Sequence, residues 1–281
     1  MAGSVLLSAS LSDAQFRRIS DLVKSLCGIN LHDGKRELVQ ARLAKRLRAM
    51  GLDDFDDYAE YVRADASGVE LVHMLDAIST NLTRFFREDD HFAYLRSSVL
   101  PRVAAGPRGP SRRLRVWSAG CSSGEEPYSI AITLAEAIPD LDRWDARILA
   151  TDLSTKVLAR AQQGLYPPRS LKDVSPQRRS RYFLAEGGRN DRLYRVRPEL
   201  RKTVHFARLN LMESWPMQGP FDAIFCRNVM IYFDKPTQQE LVGRYWQLLA
   251  PGGTLFIGHS ESLTGVKHDY QYVQPTIYQR P

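Results

Sequence analysis

From Ser12 to about Ile78 the apolar positions recur at helical spacing, and from about Leu114 they change to short apolar runs that alternate with helical stretches. Phe16, Ile19, Leu22, Val23 and Leu26 follow an N-cap-like Ser12-Asp13 and stop at Gly28. A second helix is predicted from about Gly34 to Met50, with Leu38, Val39, Leu43, Leu47 and Met50 as its apolar stripe. Shorter helices follow from Asp53-Asp54-Phe55 and over Val69 to Ile78, and a further one from about Asp89 to Val103. Gly106-Pro107-Arg108-Gly109-Pro110 then breaks the pattern. Strands are predicted at Leu114–Trp117, Arg147–Ala150, Val204–Asn210, Phe221–Arg227 and Thr254–Gly258, and helices at Glu125–Ile138, Ser154–Gln163 and Thr237–Leu249. Such alternation predicts a parallel sheet covered on both faces. Arg181–Leu184 and Leu193–Val196, around Glu186-Gly187-Gly188-Arg189-Asn190, predict an inserted antiparallel hairpin, and Tyr270–Tyr278 a final strand.

The expectation is an α/β chain. An all-α N-terminal domain occupies 1–78 and a linker with a helix spans 79–110. A doubly wound, Rossmann-like domain follows over 111–281, carrying a small β-subdomain at about 167–203. A length of 281 residues with 43% hydrophobic and 25% charged content suits two packed units and excludes wholesale disorder. Neither a membrane-length apolar run nor a signal-peptide pattern is present, so a cytoplasmic protein is expected. Cys27, Cys121 and Cys226 lack paired spacing, which argues against a disulfide framework and against a metal site.

The formal charge of +7 changes the picture because it is local. Between Leu165 and Asn210 twelve Lys and Arg residues face four Asp and Glu residues, which accounts for the whole excess. This concentration favours either a specific acidic partner or an ordinary solvated basic face over diffuse nucleic-acid binding.

In a doubly wound sheet a ligand lies beyond the carboxyl ends of the strands. The first strand end carries the Gly120–Gly124 loop, whose small residues let backbone amides approach a ligand. The second carries Asp152, suited to two ribose hydroxyls, and the fourth carries Asn228. No Gly-Lys-Ser or Gly-Lys-Thr ending follows the loop to grip phosphates. Glu125 and Glu126 stand there instead, where they suit an ammonium such as that of S-adenosylmethionine.

Four longer segments carry a family resemblance. They are Ser79-Thr80-Asn81-Leu82-Thr83-Arg84-Phe85-Phe86-Arg87, Ser123-Gly124-Glu125-Glu126-Pro127-Tyr128-Ser129, Cys226-Arg227-Asn228-Val229-Met230-Ile231-Tyr232-Phe233 and Gly258-His259-Ser260-Glu261. Together the chain resembles the chemotaxis receptor methyltransferases, the CheR family, over nearly its whole length. The resemblance implies transfer of a methyl group from S-adenosylmethionine to receptor glutamates, leaving S-adenosylhomocysteine. It implies cofactor contacts from Asn81, Thr83, Arg87, Gly120, Glu126, Asp152, Asn210, Leu211, Asn228 and Val229, with Glu126 preferred to Glu125 for the ammonium. Arg87 and Tyr232 would face the methyl group and the incoming glutamate. Taken without the resemblance, Arg87 reads as a helix cap and Tyr232 as packing at the sheet end.

The expected partner is the helical bundle of a chemoreceptor cytoplasmic region. Lys35, Arg42, Lys45 and Arg46 can line one exposed face of the second helix to dock it. In some relatives the β-subdomain holds a receptor C-terminal peptide as an added strand. Two rival readings are a nucleic-acid methyltransferase and a non-catalytic adaptor that senses S-adenosylmethionine. Against the first, no Asn-Pro-Pro-Tyr or Asp-Pro-Pro-Tyr stands at Asn228, and no stacking aromatics interleave the basic run. Against the second stand intact Arg87, Asp152 and Tyr232.

Overall fold

The computed structural model describes residues 10–78, 82–105, 112–188 and 190–281, and the chain divides into two compact units. Asn81 and the Gly106–Pro110 breaker lie outside the described residues.

The first unit is helical: α1 (Asp13–Cys27), α2 (Arg36–Met50), α3 (Phe55–Ala64) and α4 (Val69–Ile78). Ser12 opens α1 with a capping box to Gln15, and Gly28 closes it in the left-handed conformation at φ 75°. Phe16, Ile19 and Val23 of α1, Val39, Leu43 and Leu47 of α2, Tyr58 and Val62 of α3, and Met74 and Leu75 of α4 are buried. Each such large apolar side chain stabilises the fold by about 1.5–3 kcal/mol. Leu38, expected on the α2 stripe, is 40% exposed, because Val39, Leu43 and Leu47 already fill the narrow contact line of that helix. The unit also includes Tyr232–Asp234, which a contiguous boundary near residue 78 does not foresee. Within it the Asn30 amide donates to the Tyr232 carbonyl (2.7 Å) and Lys24 pairs with Asp234 (2.8 Å).

The second unit opens with α5 (Asp89–Tyr94), which runs through a π-helical turn (Leu95–Val99) into α6 (Leu100–Ala105). There follow β1 (Arg113–Ala119), α7 (Glu125–Ala137), β2 (Asp145–Asp152) and α8 (Thr155–Gln163). The insert comprises β3 (Leu165–Tyr166), α9 (Pro176–Tyr182), β4 (Phe183–Glu186), β5 (Leu193–Val196) and α10 (Pro198–Arg201). The chain then completes β6 (Val204–Arg208), β7 (Phe221–Cys226), α11 (Lys235–Leu248), β8 (Leu249–Ile257), β9 (Gln271–Gln274) and β10 (Ile277–Gln279).

The main sheet has seven strands in the order β6-β2-β1-β7-β8-β10-β9. β6, β2, β1, β7 and β8 are parallel, and β10 pairs antiparallel with both β8 and β9. Strand order reverses between β1 and β7, so the crevice beyond their carboxyl ends is where a doubly wound sheet holds its ligand. Val116, Trp117, Ile148, Phe225 and Phe256 are fully buried, with the Phe225 and Phe256 rings stacked at 4.2 Å.

Two strand expectations are corrected. Tyr270–Tyr278 is a hairpin rather than one strand: Pro275 lacks the ladder N–H and Thr276 turns at φ 64°, sending β10 back along β8. Arg181 and Tyr182 end α9 instead of starting a strand, since Ser175 caps that helix and Pro176 opens it. The small sheet gains a third strand, β3, in the order β3-β5-β4, so the insert's pairing begins at Leu165.

Candidate functional site

The carboxyl ends of β1, β2, β6, β7 and β8 deliver Gly120, Asp152, Asn210, Asn228 and Gly258 to one edge of the sheet. Backbone strain concentrates there. Of the five non-glycine residues with positive φ among the described residues, Phe86, Glu88, Ser122 and Asn228 belong to the segments that form this edge. Such conformations cost about 1–3 kcal/mol each and persist where surrounding bonds hold them.

The bonds that hold Asn228 are visible. The Glu261 carboxylate accepts the backbone N–H groups of Gly258 (2.5 Å), Asn228 (2.9 Å) and Ile231 (3.1 Å). Burial pushes the Glu261 pKa up, while those amides oppose the shift. A Cβ at Gly258 would lie 2.4 Å from Asn228 Nδ2, so only glycine lets the two loops close. Gly120 is bound by the same logic: at φ +93° its Cβ would meet Val229 Cγ2 at 2.3 Å.

The glycine loop differs from its expectation. The Gly120 and Cys121 amides both donate to the Thr151 carbonyl (2.8 and 2.9 Å), and the Ser122 amide donates to Asp152 Oδ2 (2.9 Å). These amides are therefore committed to the fold and do not form an anion cradle. Asp152 Oδ1 accepts the Ser154 amide (3.0 Å), which fixes the carboxylate at the end of β2. Asn210 is buried, accepts the Met212 amide (3.1 Å) and donates to Glu213 (3.0 Å), while the Leu211 carbonyl accepts from Arg244 Nη1 (2.6 Å).

At the centre is a bridge that spacing along the chain does not reveal. The Arg227 side chain is 2% exposed and donates to Glu88 Oε2 (2.9 Å) and Glu126 Oε2 (3.2 Å). It also donates to the Arg87 carbonyl, and Ser118 Oγ donates to Glu126 Oε1 (2.6 Å). Burial pushes Glu126 up and Arg227 opposes it. For Glu88 burial also pushes upward, but the charge and hydrogen bond of Arg227 outweigh it and hold the carboxyl below its usual range. The two carboxylates are balanced by Arg227 and by Arg87, whose Nε lies 3.8 Å from Glu88 Oε1, and a carboxylate held there suits a ligand carrying a positive charge. Glu125 turns away to accept from Ser123 Oγ (2.7 Å).

Arg87 is partly exposed and donates to the Leu82 carbonyl (2.8 Å), and Thr83 is half-buried in the same segment. Tyr232 belongs to the helical unit, where Lys35 Nζ lies 5.1 Å from its ring centroid. The structure thus brings together one residue expected to dock the substrate and one expected to face the reacting groups. The other α2 cations are less free than an exposed row implies. Arg46 makes a two-pronged pair with buried Glu70 (3.0 and 2.5 Å), which also accepts from Tyr58 (2.7 Å), and Arg42 donates to the Ala77 and Ile78 carbonyls. Lys45 is exposed. The expectation of four free cations is corrected to this extent: Glu70 and the end of α4 are satisfied by two of them.

Glu88, His91 and His259 place ligand-type atoms within 4.8 Å of one another. Glu88 Oε2, which lies 3.7 Å from His91 Nδ1, is the oxygen Arg227 holds, so a guanidinium already balances its charge. His91 is fully buried and its Nε2 meets Thr276 Oγ1 at 2.8 Å. Thr276 Oγ1 also donates to the Pro275 carbonyl (2.6 Å), and His91 Nδ1 is buried without a hydrogen-bond partner. Sequence reasoning missed Arg227, Glu88, Glu261 and His91 as site residues. Arg227 and Glu261 lay inside the motifs around Asn228 and Gly258, whereas Glu88 and His91 follow the motif that ends at Arg87 and carried no signal.

Residues 81–279 match the family described as CheR methyltransferase, SAM binding domain, and residues 14–79 match CheR methyltransferase, all-alpha domain. The chain is similar to a chemotaxis protein methyltransferase of Salmonella typhimurium, 46% identical over 98% of this chain and 94% of that protein. A chemotaxis protein methyltransferase of Escherichia coli is 45% identical over 96% of this chain and 91% of that protein. One from Borreliella burgdorferi is 36% identical over 98% and 96%.

Proposed function

The chain belongs to the CheR methyltransferase family, and from that premise we propose how its residues carry out the family's reaction. It transfers the methyl group of S-adenosylmethionine to glutamate side chains of chemoreceptors, giving methyl esters and S-adenosylhomocysteine. The observation that best supports the residue assignments is the Glu88–Arg227–Glu126 bridge at the point where strand order reverses.

Glu126 receives the cofactor's ammonium and Asp152 its ribose hydroxyls. Asn81, Thr83, Arg87, Gly120, the Asn210-Leu211 pair and the Asn228-Val229 pair line the rest of the site. The cofactor supplies a methyl group on a positively charged sulfur. No general base is needed, because a glutamate of pKa about 4.3 is already ionised at neutral pH. Arg87 and the Tyr232 hydroxyl orient that carboxylate so that one oxygen lies in line at about 3–3.5 Å. Their grip must stay modest, because the anion is neutralised as the ester forms and tight ground-state binding would slow the step.

The substrate is the chemoreceptor's helical bundle, docked along α2 through Lys35 and Lys45, with Arg42 and Arg46 shaping that face from their internal pairs. The antiparallel β3-β5-β4 sheet takes a receptor C-terminal peptide as an added strand. The working place is the cytoplasm, consistent with three buried free thiols and with the absence, among the described residues, of a helix long and apolar enough to cross a membrane. Three of the twelve basic residues of that segment, Arg178, Arg195 and Arg201, are held by Glu136, Glu186 and the Gln162 and Gln163 carbonyls, which weakens the case for a nucleic-acid substrate.

The test is transfer of labelled methyl from S-adenosylmethionine to a purified chemoreceptor cytoplasmic fragment. Label that base releases as methanol is expected. Label that base leaves in place, or transfer to nucleic acid alone, contradicts the reading.

A further inference from the structure

We propose that Arg227 is a positioning residue for the methyl donor, acting through Glu126 rather than touching the reacting atoms. The inference rests on the assignment of Glu126 to the cofactor's ammonium. Its basis is geometric. Glu126 lies in the first turn of α7, Glu88 precedes α5 and Arg227 follows β7, so one guanidinium ties three segments of the sheet edge together. Arg227 holds Glu126 Oε2 while Ser118 holds Oε1, which fixes both carboxylate oxygens at the end of β1. Its Nη2 also reaches the Arg87 carbonyl, so the same side chain sets the backbone of a residue that faces the reacting groups. The Phe92 ring lies 5.4 Å from the guanidinium and closes its apolar side.

A second consequence is electrostatic. An ammonium is bound only by an ionised Glu126. Burial disfavours that form and Arg227 favours it, with Glu88 opposing and Arg87 helping. The buried Cys121 and Cys226 thiols also feel this carboxylate, and burial raises their pKa values, so they remain neutral. Removing Arg227 should therefore move the Glu126 titration upward in pH, and removing the Glu88 charge should move it downward.

The experiment is calorimetric titration of the full chain with S-adenosylhomocysteine between pH 5 and pH 9, for the native protein, Arg227→Gln, Arg227→Lys and Glu88→Gln. S-adenosylhomocysteine keeps the ammonium and cannot turn over. In Arg227→Gln the affinity is expected to fall about tenfold per pH unit below a limb displaced to higher pH, and to recover as pH rises. Arg227→Lys should restore most of the native profile, and Glu88→Gln should displace the limb to lower pH. A pH-independent loss in Arg227→Gln, or displacement of both limbs in the same direction, overturns the proposal. If Arg227→Gln does not fold, the direction of the Glu88→Gln displacement decides alone. Failure of the native chain to bind S-adenosylhomocysteine would instead overturn the functional reading on which the inference rests.

Discussion

The strand-end cluster and the arginine-rich insert both concentrate charge, yet they use it differently. Arg227 is buried, the Glu88 and Glu126 side chains it joins are only 10% and 13% exposed, and the three are bonded to further polar partners. In the insert, Arg195 and Glu186 pair across β5 and β4 with side chains 29% and 40% exposed, where water screens the attraction. Arg178 is intermediate, pairing with Glu136 while its guanidinium lies 4.0 Å from the Phe86 ring. Twelve basic residues made the insert conspicuous in the sequence, but a single arginine at the sheet edge carries more of the architecture of the site. Charge density along a chain locates exposed charge, and burial decides which charges matter.

The contrast is broken most directly by Arg227→Met. Leaving Glu88 and Glu126 buried without their partner should cost about 3–5 kcal/mol in urea unfolding; a negligible loss would place this cluster with the surface pairs. A smaller effect concerns His91, whose pKa is lowered to about 4 by burial first and by Arg227 second. The folded state resists a proton that the unfolded state accepts below its usual value of about 6.5. Stability is therefore intact above that value and lost as pH falls toward the folded pKa, by at most about 1.4 kcal/mol per pH unit. His91→Gln should flatten this acid slope, and an unchanged slope would show that another group carries it. The smallest effect belongs to the insert: Arg195→Ala should leave the urea midpoint unchanged within error, and a measurable fall would mean its ion pair is less screened than its exposure indicates.

Much of the fold was legible because periodicity is a local property. The four N-terminal helices and the alternation that builds the parallel sheet followed from spacing, and Asp152 and Gly120 followed from their places after strands. The final hairpin was not, because a single residue at φ 64° separates two runs that look continuous. Nor was the Arg227 bridge, whose partners lie 139 and 101 residues away. The role of Glu261 was hidden for a related reason: it bonds backbone amides, which leave no mark on residue identity. Tyr232 joins the helical unit through a three-residue segment too short to register as a boundary.

In the proposed function a cationic donor binds at the carboxyl edge of the sheet and Asp152 holds its ribose. Calorimetric titration of S-adenosylhomocysteine into the native chain and into Asp152→Asn tests this most directly. The prediction is one molecule bound per chain and an affinity about 10- to 100-fold weaker in the variant. Absence of binding to the native chain, or equal affinity for both proteins, would contradict it.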